Sequence, residues 1–316
     1  MSLTYIIAVY NEEETLPGLV EAYRNLWKET RANVLFVNDG STDGTLISLE
    51  SLSRKNANIG YIDLSRNFGK EQALAAGMSV VPAGHDVIVM DGDGQHTPAA
   101  TQSLIAAMQT DESADIAFGI RAGRNYQSLF DKLFAGAFYK FTNLLLKRPL
   151  DDRLGDFFYA RAGVVDTLKS FGDSKIFWKG VYNYIGYKRL EIPVEIAPRS
   201  AGASKYPFAK RLGLAVDGIV WLSKAPLHVI SLFGLLISFL SFAFGFFIIA
   251  QWLLTGIAVP GFYTIIVLQS FGVGITMLSL GVMALYLEVI FENTSKKPNF
   301  IISSRKNLPA WDREIL

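Results

Sequence analysis

The chain has 316 residues, 50% of them hydrophobic, with a formal net charge of +1 and no cysteine. That length accommodates two domains, or one domain and a membrane part. The charge balance argues against a nucleic-acid partner, and the lack of cysteine excludes disulfides and thiolate metal sites.

In chain order, the first 120 residues alternate between strand and helix patterns. Residues 3–9, 34–38, 59–64, 87–90 and 116–118 are short apolar runs rich in β-branched side chains, and are predicted as strands. Helical periodicity fills the intervals at 12–27, 43–53, 69–81 and 98–109, with Pro98 suited to a first helical turn. Such alternation predicts an α/β fold with a largely parallel sheet and right-handed crossovers. The residues before the first strand carry no basic segment and small-residue cleavage pattern, so no signal peptide is expected. Residues 126–147 read as a helix with an apolar stripe, and 190–196 as one more strand.

Beyond this region the apolarity is concentrated. Residues 225–287 contain no Asp, Glu, Lys or Arg. Segments 227–254 and 262–287 each exceed the roughly 20 helical residues that cross a bilayer core, and residues 255–261 form a short turn between them. A transmembrane hairpin is expected. Lys205, Lys210, Arg211 and Lys224 precede it, Lys296, Lys297, Arg305 and Lys306 follow it, and the turn has no basic residue. The positive-inside rule puts both ends on the cytoplasmic face. Residues 205–225 carry an apolar stripe beside basic positions, as an interfacial helix does. The expected organisation is an α/β domain over 1–204, a juxtamembrane helix over 205–225, a hairpin over 226–291 and a cytoplasmic tail over 292–316. Residues 300–302 in that tail are a candidate short strand. Gly272, Gly274 and Gly281 in the second span leave room for close helix packing, as in a homo-oligomer.

Chemistry concentrates at the strand ends. Asp91-Gly92-Asp93-Gly94 follows the fourth strand directly, and open α/β sheets bind ligands beyond the carboxyl ends of their strands. Two acids one residue apart repel each other unless a cation lies between them. A hard divalent ion, Mg²⁺ or Mn²⁺, bridging carboxylate and diphosphate is the simplest candidate. The competing reading is a turn or helix cap, where Asp and Gly are also common. Three further strand ends look like binding loops: residues 8–14, 36–44 and 66–71. Asp39 and Asp43 can accept from a ribose or a base, with Asp43 the more natural helix cap. Lys70 is placed to meet phosphate.

Together these loops resemble the GT-A glycosyltransferases of family 2. The matching pieces are Val9-Tyr10-Asn11-Glu12, Asn38-Asp39-Gly40-Ser41-Thr42-Asp43, Arg66-Asn67-Phe68-Gly69-Lys70 and Asp91-Gly92-Asp93-Gly94-Gln95-His96. With Gly155-Asp156-Phe157, residues 199–206 and the hairpin included, the chain is similar to the polyprenyl-phosphate hexosyltransferases. The resemblance implies inverting transfer of a hexose from a nucleotide-sugar to a polyprenyl phosphate at a lipid bilayer. By position it gives Tyr10, Glu12 and Asp39 to the nucleoside, and Asp91, Asp93 and Gln95 to the diphosphate and its metal. Arg121, Ser128, Lys132, Arg199 and Lys205 fall to the acceptor phosphate, and Asp156 to the active site. The chain departs from the usual pattern at Ala8, where proline is common, and at Gly92 and Gly94, where Ala and Leu are common. UDP-glucose is the first donor expected and GDP-mannose the next. A processive polysaccharide synthase would carry Gln-x-x-Arg-Trp and more spans, and neither is present. A non-catalytic nucleotide-sugar-binding membrane protein would have no need of both acids, Asp156 and the basic loop.

Overall fold

The computed structural model describes residues 2–121, 153–171, 178–195, 225–255, 261–294 and 297–308. They fall into an α/β unit and a helical unit of residues 225–294.

In the α/β unit, the strands are β1 (Ser2–Val9), β2 (Asn33–Asn38), β3 (Ile59–Leu64), β4 (His85–Asp91), β5 (Ile116–Arg121), β6 (Phe158–Ala160), β7 (Arg189–Val194) and β8 (Ile302–Lys306). They form one sheet in the order β7-β5-β6-β4-β1-β2-β3-β8. The helices are α1 (Leu16–Glu29), α2 (Thr45–Lys55), α3 (Lys70–Ser79), α4 (Pro98–Thr110), α5 (Ala162–Lys169) and α6 (Trp178–Tyr184). The chain steps outward from β1 to β2 to β3, then returns through α3 to place β4 on the other side of β1. This reversal is a topological switch point, where such sheets open a ligand crevice. Residues Ala8 and Asp91 are register partners across it, and Val9 pairs with Asn38 on the other side.

The strands form because their side chains are buried on both faces: Tyr5, Ile6, Ile7, Val34, Leu35, Phe36, Val87, Ile88 and Val89 are fully enclosed. Beneath β1, Trp27 stacks on Tyr23 at 5.5 Å and meets Phe36 edge-on at 6.4 Å. The Tyr23 hydroxyl donates to the His96 carbonyl at 3.1 Å and shares a 2.8 Å hydrogen bond with Thr101. The same aromatic layer therefore holds the loop after β4. Thr97 caps α4 by accepting from the Ala100 N–H at 3.1 Å, ahead of Pro98 in the first turn.

The sheet, expected to be largely parallel, is mixed, with four parallel and three antiparallel pairings. The three-residue β6 is inserted antiparallel between β4 and β5, and β8 is antiparallel on β3. Asp86 at the start of β4 explains the first insertion. It is buried, accepts from the Tyr159 hydroxyl at 2.6 Å, and accepts from the Ala162 N–H at the start of α5 at 2.9 Å. The tail strand forms at Ile302–Lys306 rather than at 300–302. Its pairing comes from backbone hydrogen bonds at an exposed edge, which apolarity does not report.

In the helical unit, α7 (Ala225–Thr255) and α8 (Phe262–Thr294) pack on each other. Leu232, Phe239, Phe246 and Leu253 on α7 are more than half exposed, as are Phe271, Met277 and Leu278 on α8. Among the described residues, Phe271–Phe291 is the one segment found long and apolar enough to cross a membrane. α7 is the other long apolar helix, with no Asp, Glu, Lys or Arg along it. A Cβ at Gly272, Gly274 or Gly281 would meet open space.

Candidate active site

The parallel strands β1 to β4 end on one edge, so the loops carrying Tyr10–Glu14, Asp39–Gly44, Ser65–Gly69 and Gly92–Gln95 emerge side by side. Asp156 reaches the same edge for a different reason. Because β6 runs antiparallel to β4 with Val89 opposite Phe158, extending that register sets Asp156 opposite Asp91. The Lys70 Nζ lies between them, 2.6 Å from Asp91 Oδ1 and 2.8 Å from Asp156 Oδ2. Lys70 leads α3 directly after the β3 loop, which brings it to the acids.

This cation governs the local electrostatics. Burial pulls against the Lys70 ammonium, but the Asp156 and Asp91 carboxylates outweigh it and hold its pKa well above the ordinary lysine value. Burial pushes the Asp91 carboxyl up, yet His96 and Lys70 beside it bring it below the usual carboxylate range. The His96 Nε2 lies 3.8 Å from Asp91 Oδ2, and its ring stacks on Phe157 at 4.1 Å. His96 is buried, with no hydrogen-bond partner at Nδ1, and Asp156 Oδ1 is likewise buried and unpartnered. Asp93 accepts from the Gln95 N–H at 3.1 Å, closing the turn that carries both.

Glu71, Trp178 and Tyr182 belong to the same corner, and the sequence analysis passed over all three. The Trp178 N–H donates to the Glu71 carboxylate at 3.3 Å, and its indole N–H donates to the Glu71 carbonyl at 2.9 Å. Burial first, then the Asp156 charge, pushes Glu71 up to about 7. Burial and the Asp156, Glu71 and Asp91 charges hold the Tyr182 phenol well above its ordinary value. A chemical signal was available for Glu71, an acid one position after Lys70 within an apolar helix pattern.

A raised Glu71 pKa has a signed consequence. Between the ordinary glutamate value and about 7, the folded protein holds a proton that the unfolded chain has released. The resulting stabilisation is complete below the ordinary value and is lost as pH rises through about 7. Glu71→Gln removes this dependence. The difference in melting temperature, variant minus wild type, is expected to rise from pH 5 to pH 8. A flat difference across that range contradicts the assignment.

The loops after β1 and β2 are tied together. The Asp39 carboxylate is 3% exposed and accepts from the Phe68 and Gly69 N–H groups at 2.7 and 2.9 Å. Burial pushes its pKa up, with those two N–H groups opposing. Asp43, one residue ahead of Gly44, the N-cap of α2, accepts from the Thr45 N–H at 3.0 Å and from the Glu13 N–H at 3.3 Å. Glu13 in turn accepts from the Gly44 N–H at 2.9 Å. Tyr10 is 45% exposed at the strand end, and the Glu12 N–H donates to Thr45 at 2.9 Å. Gly40 has φ +62°, and a Cβ there would sit 2.2 Å from the Arg66 carbonyl carbon. Gly40→Ala is therefore expected to cost at least about 1–2 kcal/mol of stability from the left-handed backbone alone. A lowered denaturation midpoint checks this, because the Arg66 backbone must move to admit the added Cβ.

Thus the structure brings together Lys70, Asp91 and Asp156, places Asp93 and Gln95 on the adjoining turn, and sets Tyr10, Glu12 and Asp39 on neighbouring loops. Arg121 ends β5 on the same edge and is exposed. Ser128, Lys132, Arg199 and Lys205 lie outside the described residues. So do the predicted helices 126–147 and 205–225. Two clefts, of about 400 Å³ beside Trp27 and Arg31 and about 520 Å³ beside Tyr159 and Arg161, open at the opposite edge of the sheet. The first is lined by Arg24, Lys28 and Arg31 with no acid among them, whereas the Lys70 corner sets an ammonium between two carboxylates and is the candidate site.

A family model described as glycosyl transferase family 2 matches residues 4–168. An uncharacterized glycosyltransferase of Synechocystis sp. is 32% identical, with 100% of this chain and 98% of that protein covered. A prophage bactoprenol glucosyl transferase homolog of Escherichia coli is 30% identical over 97% of this chain and 100% of its own length. The bactoprenol glucosyl transferase of Shigella phage SfX matches at 30% identity, with 97% and 100% covered.

Proposed function

The chain belongs to glycosyl transferase family 2, and from that premise we propose the reaction of this transferase. A hexose, glucose first, passes from a nucleoside-diphosphate sugar to the phosphate of a polyprenyl lipid, with inversion, on the cytoplasmic face of a membrane. The observation that carries this reading is the Lys70 ammonium set between Asp91 and Asp156 at the β1/β4 switch point. A site that gathers charge of both signs suits a reaction between two polyanions. The two bactoprenol transferase names support the acceptor class and favour glucose. The exposed apolar side chains of α7 and α8, with no charged residue over 225–287, support a two-helix hairpin in the bilayer. The basic residues flanking that stretch support a cytoplasmic site.

The donor set also fits a divalent ion. Among the described residues no group of three His, Asp or Glu side chains is gathered for a metal. Small hard cations are commonly held by one or two carboxylates together with substrate phosphates and water, and Asp91 and Asp93, with Gln95 beside them, are such a partial set. When bound there, Mg²⁺ or Mn²⁺ supplies charge neutralisation at the departing diphosphate.

The remaining work falls to the chain itself. A phosphate monoester has its second pKa near roughly 6, so the acceptor is largely a dianion at neutral pH and needs no strong base. Its attack on the anomeric carbon in line with the leaving diphosphate requires positioning above all. Tyr10, Glu12 and Asp39 hold the nucleoside side. Lys70, cationic throughout, offers donors to diphosphate oxygens while steadying Asp91 and Asp156. Asp156, paired with Lys70, is assigned the orienting of the acceptor. Arg121, Ser128, Lys132, Arg199 and Lys205 receive the acceptor phosphate.

A panel of nucleotide-sugars tests the donor half of this proposal. UDP-glucose with Mn²⁺ is expected to raise the melting temperature most, since ligand at about 100 times its Kd adds roughly 2.7 kcal/mol to the folded state. GDP-mannose raising it more would reassign the donor. No shift with any nucleotide-sugar would defeat the reading.

A further inference from the structure

The strand that follows the apolar helices in the chain is joined to the donor loops by an unbroken run of hydrogen bonds. Ser303 on β8 donates to Asp63 Oδ2 at 2.8 Å. The Asn38 amide donates to Asp63 Oδ1 at 2.7 Å. Ser41 donates to Asn38 Oδ1 at 2.5 Å, and the Asn11 N–H donates to Ser41 Oγ at 2.9 Å. Asn11 closes the run by accepting from the Thr42 N–H at 2.8 Å. From Asn11 through Ser41 to Asn38 each residue both accepts and donates, so these bonds reinforce one another. At Asp63 the direction reverses: Asn38 and Ser303 both donate to its carboxylate, which joins the loops to the strand.

The far end of the run is a strained residue. Asn11 has φ +55°, a left-handed backbone that costs energy away from glycine. It stands between Tyr10 and Glu12, so its conformation sets where both point. Asn38 is 1% exposed, which leaves its amide no freedom to turn and break the relay. A second tie runs in parallel: the Ser65 N–H donates to the Ile301 carbonyl at 2.9 Å, fixing the loop whose Phe68 and Gly69 N–H groups grip Asp39. The strand itself is anchored by Asn307, whose amide donates to the Ser53, Asn56 and Ile59 carbonyls at 2.8, 3.1 and 3.0 Å. Gly60 permits this approach, since a Cβ there would lie 2.3 Å from the Asn307 carbonyl oxygen.

We infer that β8 is a positioning element of the nucleotide site, with Ser303 and Asp63 as the residues that transmit its docking to Asn11, Tyr10 and Glu12. The inference rests on the nucleotide-sugar reading above and adds to it a role for the segment after the membrane helices. That segment is then no passive tail. Donor affinity depends on whether the returning strand is in place on β3.

The test uses the full-length protein in detergent, with UDP and Mn²⁺ as the probe, followed by calorimetry. Ser303→Ala is expected to weaken UDP binding about fivefold, the consequence of one lost hydrogen bond, and Asp63→Ala by more than about tenfold, since two are lost. Ser303→Thr keeps the hydroxyl and should bind within about twofold of wild type. Ser304→Ala, the neighbouring position, should leave binding unchanged. In turnover, the KM for the donor rises while kcat and the KM for the acceptor hold, a split that general loss of stability does not produce. Ser303 is exposed, so its alanine variant is expected to fold and decides the matter even if Asp63→Ala does not. Ser303→Ala binding UDP as wild type does would overturn the inference and leave the donor reading standing. Wild-type protein that binds neither UDP nor GDP with Mn²⁺ would overturn both.

Discussion

The Lys70→Met variant is expected to lose about a hundred- to a thousandfold in kcat/KM, or roughly 3–4 kcal/mol of transition-state stabilisation. The side chain is 41% exposed, so the hydrophobic replacement has room and the fold should survive. What disappears is the positive charge within 2.6 and 2.8 Å of the Asp91 and Asp156 carboxylates. Unscreened, the two acids repel and leave the geometry that faces donor and acceptor. The diphosphate loses a donor at the same time. Lys70→Arg restores the charge but substitutes a planar fork for a compact ammonium, so partial recovery is expected. Steady-state kinetics beside a denaturation curve check the claim. A rate within threefold of wild type would show that the bridge is incidental.

The second large effect belongs to Asp93. Asp93→Ala is expected to abolish transfer, by about a thousandfold or more, and to remove the dependence of nucleotide binding on Mn²⁺. The competing account is structural, because Asp93 closes a turn by accepting from the Gln95 N–H at 3.1 Å. Asp93→Asn separates the two. Its carbonyl oxygen can keep the turn, while the charge that a hard cation needs is gone. If the asparagine variant retains activity while the alanine variant does not, Asp93 serves the turn alone. If both are inactive with unchanged melting temperatures, the charge is what matters.

How much of this was legible in the sequence differs by element. Strands β1 to β5 were readable because each is a run of apolar residues buried on both faces, with the boundaries off by three residues at most, at the end of β5. The helices between them carry ordinary amphipathic spacing. The loops at the shared strand edge followed from the parallel topology. Missed were the features that depend on pairing rather than on pattern. β6 is three residues long, too short to show a period, and its antiparallel placement is fixed by the buried Asp86 from 73 residues away. That placement is what brings Asp156 to Asp91, so their meeting across Lys70 lay beyond any local reading. Lys70 itself read as a residue for phosphate, with nothing to disclose its two acidic partners. β8 is Ile-Ser-Ser-Arg-Lys, polar and at an edge, and only its backbone explains it. Asp39 and Asp43 both occupy predicted ligand loops, and each carboxylate also ties its loop by accepting from backbone N–H groups, which the sequence did not disclose.

The central claim is transfer of a hexose to a lipid phosphate. It is tested most directly by incubating the full-length protein in detergent with polyprenyl phosphate, radiolabelled UDP-glucose and Mn²⁺. The product is then partitioned between chloroform and water. The account predicts label in the chloroform phase as a single hexose on phosphate, its anomeric configuration opposite to that of the donor. Label confined to water, as free sugar or polymer, would contradict it.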